Sequence, residues 1–193
     1  YTLDELKNEI TKTTPASFEP SIDYVVTKIP RFTFEKFSTS EAILGTSMKS
    51  VGEAMAIGRN FKESLQKALV SLEIGFSGLD RIFPLNKKEI EKELKKNIPN
   101  RILLAAEAFR KKIDIKRIHQ LCKIDPWFLE QIKEIVDEEN KIQKRGLPKD
   151  YNEFNRIKSI GFSDKKLSEI TKISEELVRK KRTALKVLPV YKK

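Results

Sequence analysis

A short apolar stretch interrupted by glycines, from Met48 to Arg59, separates two parts of this chain that differ in structural class. Its apolar residues are interleaved with two glycines and one glutamate, a pattern that favours a buried strand or bulge over a helix. Asn60 follows, with Glu63 three positions later, which is a capping-box signal for the start of a helix. The stretch therefore predicts a strand or loop, then a turn, then a helix.

The residues before this stretch predict a mixture of helix and strand. Residues 2–11 are predicted to form a short amphipathic helix, because Thr2 and Glu5 are spaced as a capping box and Leu3, Leu6 and Ile10 follow at helical spacing. The β-branched run from Ile22 to Ile29 predicts a strand that ends at Pro30. Alternation with polar residues then predicts an aromatic face on an edge segment or a loop, formed by Phe32, Phe34 and Phe37.

The residues after the stretch predict helices almost throughout. Helical periodicity and capping signals predict helices at 60–73, 87–96, 100–112, 115–122, 126–144, 150–160, 164–171 and 175–186. Because glycine and proline are sparse and the connections are short, these helices should form a compact bundle. We place a domain boundary near residues 74–78, between parts 1–74 and 75–193. The predicted fold class is mainly α, with a small α+β N-terminal part followed by an all-α bundle.

Charge is distributed unevenly between the two parts. The first 74 residues carry 9 Lys and Arg against 10 Asp and Glu, whereas residues 75–193 carry 30 against 18. An excess of this kind is compatible with nucleic-acid binding but also with a solvated helical surface. No apolar run reaches the length of about 18 residues that a membrane span needs, so we expect a soluble segment with no membrane partner. The single cysteine excludes an internal disulfide and fits a reducing compartment, and we expect a cytoplasmic location.

The segment 163–186 offers an alternative function, because it resembles a DNA-binding helix-turn-helix. Lys172 stands where the turn usually has glycine, and Glu175 and Glu176 would bring carboxylates to the phosphate backbone. We therefore favour a plain helical pair and expect no nucleic-acid partner. Salt-sensitive binding of duplex DNA in a gel shift would favour the alternative, a basic helical nucleic-acid-binding module.

Few residues suggest chemistry of their own. His119 and Cys122 lie three positions apart on a predicted helix, but their apolar neighbours favour packing over a nucleophile pair or half a metal site. Trp127 is expected to anchor the helical core. One cysteine and one histidine are too few for a structural zinc site, and no glycine-rich phosphate loop is present. The segment by itself is therefore expected to be inactive.

Longer motifs carry a resemblance to a known family. Tyr1 to Leu6, Pro15 to Arg31 and Met48 to Arg59 are similar in order and spacing to the large subunit of carbamoyl-phosphate synthase. Asp125 to Leu129, Gly161 to Asp164 and Pro189 to Lys192 continue the resemblance more loosely. It implies that the chain is a piece of a longer protein. The first part would be the C-terminal end of the first ATP-grasp synthetase half, and the second would be the oligomerisation domain.

The resemblance also implies an activity. The family makes carbamoyl phosphate from bicarbonate, two ATP and ammonia that a glutaminase small subunit releases from glutamine, for pyrimidine and arginine biosynthesis. ATP and Mg²⁺ or Mn²⁺ would be cofactors of the full-length ligase, with no cofactor, metal or catalytic residue in this segment. Its partners would be the rest of the large subunit, the small subunit and further copies through the helical domain.

The resemblance also implies one functional site. Met48, Val51, Gly52 and Glu53 would form part of the wall of the internal channel that conducts carbamate between two active sites. The alternative is that Glu53 caps or bridges buried backbone near a glycine. Gln66 and Lys67, on the following helix, are expected to be ordinary surface residues.

Overall fold

The fold of the chain is mainly α, as the sequence predicts. A computed structural model describes residues 1–18, 22–32, 34 and 42–190, and the following statements concern those residues. They contain one two-stranded sheet and eight helices. The elements are β1 (Val25–Phe32), β2 (Ser50–Gly58), α1 (Phe61–Ser71), α2 (Lys87–Glu93), α3 (Arg101–Arg110), α4 (Ile115–Cys122), α5 (Pro126–Arg145), α6 (Tyr151–Ser159), α7 (Asp164–Thr171) and α8 (Glu175–Ala184).

The two strands form an antiparallel pair that packs on α1 through one face. Val25 pairs with Gly58 at one end and Arg31 with Gly52 near the other. Because successive side chains of a strand point to opposite faces, every second residue of β2 faces inward, and Ala54 and Ala56 are buried there. The outward face carries exposed apolar side chains, namely Val26, Val51, Met55 and Ile57. The predicted strand at Met48 to Arg59 is confirmed, but it is half-buried.

Pro30 does not end the first strand, which corrects the prediction. β1 continues through Pro30, which pairs with Glu53, as far as Phe32. In the described sheet β1 has β2 as its one neighbour. A proline that has no N–H to donate is tolerated on such an edge strand. The rings of Phe32 and Phe34 stack with centroids 5.8 Å apart, whereas Phe37 lies outside the described residues.

The turn from β2 into α1 forms as the sequence predicts. Asn60 is the N-cap of α1, and its side chain accepts a hydrogen bond from the Glu63 backbone N–H. The Glu63 carboxylate accepts the Arg59 backbone N–H at 2.8 Å. Leu65, Ala68, Leu69 and Leu72 then form the buried face of α1.

The helix predicted at residues 2–11 is absent, although one of its capping contacts is present. The Thr2 backbone N–H donates to the Glu5 carboxylate at 2.8 Å, but turns follow in place of a helix. The Asn8 side chain accepts the backbone N–H groups of Ile10 and Thr11, an alternative to helical hydrogen bonds. Ile10 is 92% exposed, so the segment has no apolar surface to pack on. A helix this short is marginal without such packing.

The seven helices predicted beyond residue 86 are confirmed, with ends that differ by a few residues. Their N-caps follow the predicted signals: Asn86 forms a complete capping box with Glu89, and Asp125 caps α5 with Pro126 at the first position. A single apolar core joins α1 to the bundle. Its fully buried large side chains include Leu65, Leu79, Ile90, Leu94, Leu103, Leu104, Ile118, Leu129, Ile132, Ile135, Phe154 and Phe162.

Candidate functional site

Of the four residues predicted to line a channel, three lie at the start of β2 and one lies before it. Val51, Gly52 and Glu53 line a surface groove of about 460 Å³. Met48 lies before the strand, is 89% exposed and is absent from the groove lining. Glu53 forms an ion pair with Lys28 on the neighbouring strand at 2.9 Å. Since Glu53 is exposed, it does not bridge buried backbone as the alternative interpretation required.

The groove contains a cation that the motif did not indicate. Arg31 lies opposite Gly52 in the strand register and lines the same groove. The far side of the groove is the end of α1, with Ser71, Leu72 and Glu73. The residues that line the groove therefore include one arginine and two glutamates, Glu53 and Glu73. Only the pairing of the two strands, which is not encoded within either motif alone, brings Arg31 to this place.

A buried network of charges holds the loop after α1 to the helical bundle. The Arg110 guanidinium donates to Glu139 at 2.6 Å, to Glu107 at 3.2 Å and to the Leu79 carbonyl. Nearby, the Lys166 ammonium donates to the Asp80 carboxylate at 2.7 Å. Burial disfavours the charged form of Asp80, but hydrogen bonds from Lys166 and Ser77 outweigh burial and lower its pKa.

The Asp164 carboxylate, in α7, binds cationic side chains of both α6 and α8. Its carboxylate accepts hydrogen bonds from Arg182 at 3.0 and 3.1 Å and from Lys158 at 3.0 Å. Burial disfavours the charged form of the Asp164 carboxylate, but these donors outweigh burial and lower its pKa. Burial lowers the pKa of the Lys158 ammonium despite the contact with Asp164.

Acid is expected to destabilise the chain through these carboxyl groups. Because the pKa of Asp80, Glu138 and Asp164 is lower in the folded state, their contribution is complete above the unfolded pKa of about 4 and is lost as the pH falls through the folded pKa. Replacing Asp164 by Asn should lower the free energy of unfolding at neutral pH by about 1.5–3 kcal/mol and flatten the acid dependence. Thermal unfolding measured from about pH 7 to about pH 3 tests this. If the stability of the Asp164→Asn chain fell with pH as steeply as that of the wild type, this prediction would be wrong.

His119 and Cys122 do not form a reactive pair. Cys122 is buried in the core, and the His119 Nδ1 is 2.8 Å from the Ile124 carbonyl oxygen.

In the ranges that the structure describes, no three His, Cys, Asp or Glu side chains gather as a metal-binding group. Nor does any described helix have the length and apolar character to cross a membrane.

Trp127 is not an anchor of the core, which corrects the prediction. It is 51% exposed and forms an aromatic cluster at the contact between α1 and α5. Its ring centroid is 5.6 Å from that of Phe61 and 5.0 Å from that of Phe128. Trp127 is the second residue of α5, after the N-cap Asp125 and Pro126, and its indole therefore lies at the rim of the bundle.

The segment 163–186 forms two helices, α7 and α8, joined by a short turn. Lys172 adopts a left-handed conformation with φ of 60° in that turn, and Ser174 caps α8. The arginines of α8 are engaged within the protein. Arg179 pairs with Glu175 at 2.9 Å, and Arg182 is held by Asp164.

Gln66 is buried, contrary to the prediction that it lies on the surface. Its side-chain Nε2 donates to the Ile160 carbonyl at 2.7 Å, and its Oε1 has no hydrogen-bond partner among the described residues. Lys67, in contrast, is exposed as predicted and pairs with Glu63 at 2.8 Å. The helical periodicity of α1 contained a signal for Gln66, because it follows the buried Leu65 at the edge of the apolar face.

Known proteins resemble this chain over its whole length. The model of the family described as the oligomerisation domain of the carbamoyl-phosphate synthetase large chain matches residues 53–186. Carbamoyl phosphate synthase large chains of Brucella melitensis biotype 1 and Haemophilus ducreyi are each 52% identical to the complete chain. That of Mesorhizobium japonicum is 50% identical. The chain spans 17% of the Brucella protein and 18% of the other two.

Proposed function

The chain belongs to the carbamoyl-phosphate synthetase large-chain family, and from this premise we propose that it is an assembly segment of an ATP-dependent carbamoyl-phosphate synthase. The observation that carries the proposal is the match of the oligomerisation-domain family across residues 53–186, within a chain that is about half identical to large chains throughout. The helical bundle would join large chains to each other or pack between their synthetase halves. The sheet and α1 would belong to the first ATP-grasp half, with the boundary near residues 74–78.

The complete enzyme would make carbamoyl phosphate for pyrimidine and arginine biosynthesis in the cytoplasm. Its first half would form carboxyphosphate from bicarbonate and ATP and convert it with ammonia to carbamate, which the second half would phosphorylate. A small subunit would supply the ammonia from glutamine. ATP and Mg²⁺ or Mn²⁺ would bind to parts of the large chain outside this segment, so the 193-residue chain alone should hydrolyse no ATP.

The groove at the start of β2 supports a role in conducting carbamate. Carbamate is an anion that decomposes in water, so a passage needs walls that exclude solvent and a compensating cation. Val51 supplies an apolar side chain, Gly52 allows the anion to approach the backbone closely, and Arg31 supplies the cation. Glu53 would be a polar group on this passage. Met48 would contribute to this wall once the remainder of the large chain covers the exposed start of β2.

Replacing Glu53 by Ala in the large chain tests the channel role. We expect more ATP to be hydrolysed per carbamoyl phosphate formed, because carbamate would escape into water or decompose before the second half phosphorylates it. Stability should change by no more than about 1 kcal/mol, since the lost ion pair with Lys28 is exposed.

The matched control is Lys28→Ala, which breaks the same ion pair from a residue outside the groove lining. This control should leave the ratio of ATP to product unchanged. If coupled synthesis and both partial ATPase reactions of the Glu53→Ala enzyme equal those of the wild type, the channel role is wrong.

A further inference from the structure

Two side chains of the α1 segment bind the end of a helix that lies more than ninety residues away in sequence. The Asn60 Nδ2 donates to the Ser159 carbonyl at 3.1 Å, and the Gln66 Nε2 donates to the Ile160 carbonyl at 2.7 Å. Ser159 is the last residue of α6 and Ile160 is its C-cap. Carbonyls at a helix end have no partner within the helix, so Asn60 and Gln66 supply donors to the C-terminal end of α6. We call residues 60, 66 and 159–161 the α1–α6 joint.

The burial of Gln66 indicates that the joint contributes specificity of position more than stability. Gln66 is 0% exposed, and its buried Oε1 has no hydrogen-bond partner in the part of the chain that the structure describes. A buried amide oxygen without a hydrogen bond is unfavourable, and leucine would fill a similar volume without that cost. The geometry explains the amide: once Nε2 points to the Ile160 carbonyl, Oε1 must point away from it. Directional hydrogen bonds of this kind select one arrangement of two packed elements.

Two glycines allow α1 to approach the joint closely. Gly161 has φ of +95°, and a Cβ there would lie 3.0 Å from the Glu63 Cα and from the Gln66 Cβ. Gly78 has φ of +151°, and a Cβ there would lie 2.9 Å from the Gln66 Oε1. Both close contacts are with residues of α1, so the loops at Gly78 and Gly161 lie close against this helix.

The joint and the groove both involve α1, the joint through Gln66 and the groove through Ser71. α1 follows β2 after only Arg59 and Asn60, and it packs on both strands. On its other side α1 contacts α5, where Phe61 meets Phe128 with ring centroids 5.1 Å apart. Any shift of α1 against the bundle would therefore displace Val51 to Glu53 with it.

We propose that Asn60 and Gln66 are positioning residues. They hold β2, which forms one wall of the groove, in a fixed position relative to the helical bundle. This inference rests on the proposed function, because it assigns the groove a place in the path of carbamate. The joint would align the wall made by the first synthetase half with the domain that follows it. It would thereby keep the path continuous when large chains assemble.

The test uses Asn60→Ser and Gln66→Leu in the complete large chain. Serine remains a good N-cap for the Glu63 N–H but lacks the amide that reaches Ser159, so this variant retains the start of α1. Leucine at position 66 removes the other donor and also the unpartnered oxygen. The matched control is Val70→Ala, at an exposed position of the same helix.

Three quantities are measured: ATP hydrolysed per carbamoyl phosphate, hydrogen exchange of β2 and α1, and native mass. We expect both joint variants to exceed the wild-type ATP ratio, and we expect Asn60→Ser to exchange about 2- to 10-fold faster across β2 and α1, the effect of losing one hydrogen bond. Native mass and exchange across α3 and α5 should be unchanged. The Val70→Ala control should match the wild type throughout.

Normal ATP ratios in Asn60→Ser would overturn the inference, and they would do so even if Gln66→Leu did not fold. A raised ratio accompanied by equal acceleration of exchange in α3 and α5 would also overturn it, because general destabilisation would then be the cause. The proposed function fails differently. In that case the wild-type large chain would form no carbamoyl phosphate.

Discussion

Replacing Arg110 by Met is expected to lower the free energy of unfolding of the 193-residue chain by about 3–5 kcal/mol, the largest effect of any change considered. The Arg110 side chain is buried and donates to Glu107, Glu139 and the Leu79 carbonyl. Methionine fills part of the volume but leaves two buried carboxylates without their principal partner. Thermal unfolding should show a midpoint lower by about 6–20 °C.

The control for Arg110 is Arg117→Met, which breaks the ion pair with Glu91 on the surface. That pair has a comparable distance of 2.7 Å, but Arg117 is half exposed, so its loss should cost no more than about 1 kcal/mol. A double variant, Arg110→Met with Glu139→Gln, should recover part of the loss because one unpaired charge is removed. Equal effects of Arg110→Met and Arg117→Met would contradict the importance of burial.

The helices beyond residue 86 could be predicted because their signals are local. Asn86 with Glu89 and Asp125 with Pro126 specify helix starts through contacts between residues at most three positions apart. Asn60 specifies the start of α1 in the same way. Such contacts involve only residues that are neighbours in sequence, so the sequence contains the information directly.

The incorrect predictions concern residues whose state depends on distant partners. The capping signal at Thr2 exists, but no apolar surface meets the segment, and Asn8 competes for its backbone. Pro30 is accommodated because β1 lies at a sheet edge, which depends on its pairing with β2. Gln66 is buried because the 160–161 turn, which lies far along the chain, covers it.

The candidate groove could be predicted in part. Val51 to Glu53 were identified through a motif that resembles a family, and they do lie together. Arg31 could be found only from the strand register, which pairs it with Gly52. Whether these residues conduct carbamate remains a proposal, which the Glu53→Ala enzyme tests.

Replacing Gly161 by Ala is expected to lower the free energy of unfolding by about 2–5 kcal/mol, through two effects that add. The backbone at position 161 has φ of +95°, and the left-handed region costs a residue with a Cβ about 1–2 kcal/mol. The new Cβ would also lie 3.0 Å from the Glu63 Cα, where backbone cannot easily move aside, and overpacking of this kind costs about 1–3 kcal/mol. Denaturant unfolding, in which the midpoint falls and the slope is unchanged, measures the total.

Gly75 separates the two effects, because its φ is +96° and a Cβ there would meet no described atom within 4 Å beyond its chain neighbours. Gly75→Ala should therefore show the backbone cost alone, about 1–2 kcal/mol. The difference between the two variants measures how closely α1 is held against the 159–161 turn. If Gly161→Ala costs no more than Gly75→Ala, α1 can move away from this turn freely, and the α1–α6 joint is not a close contact in solution.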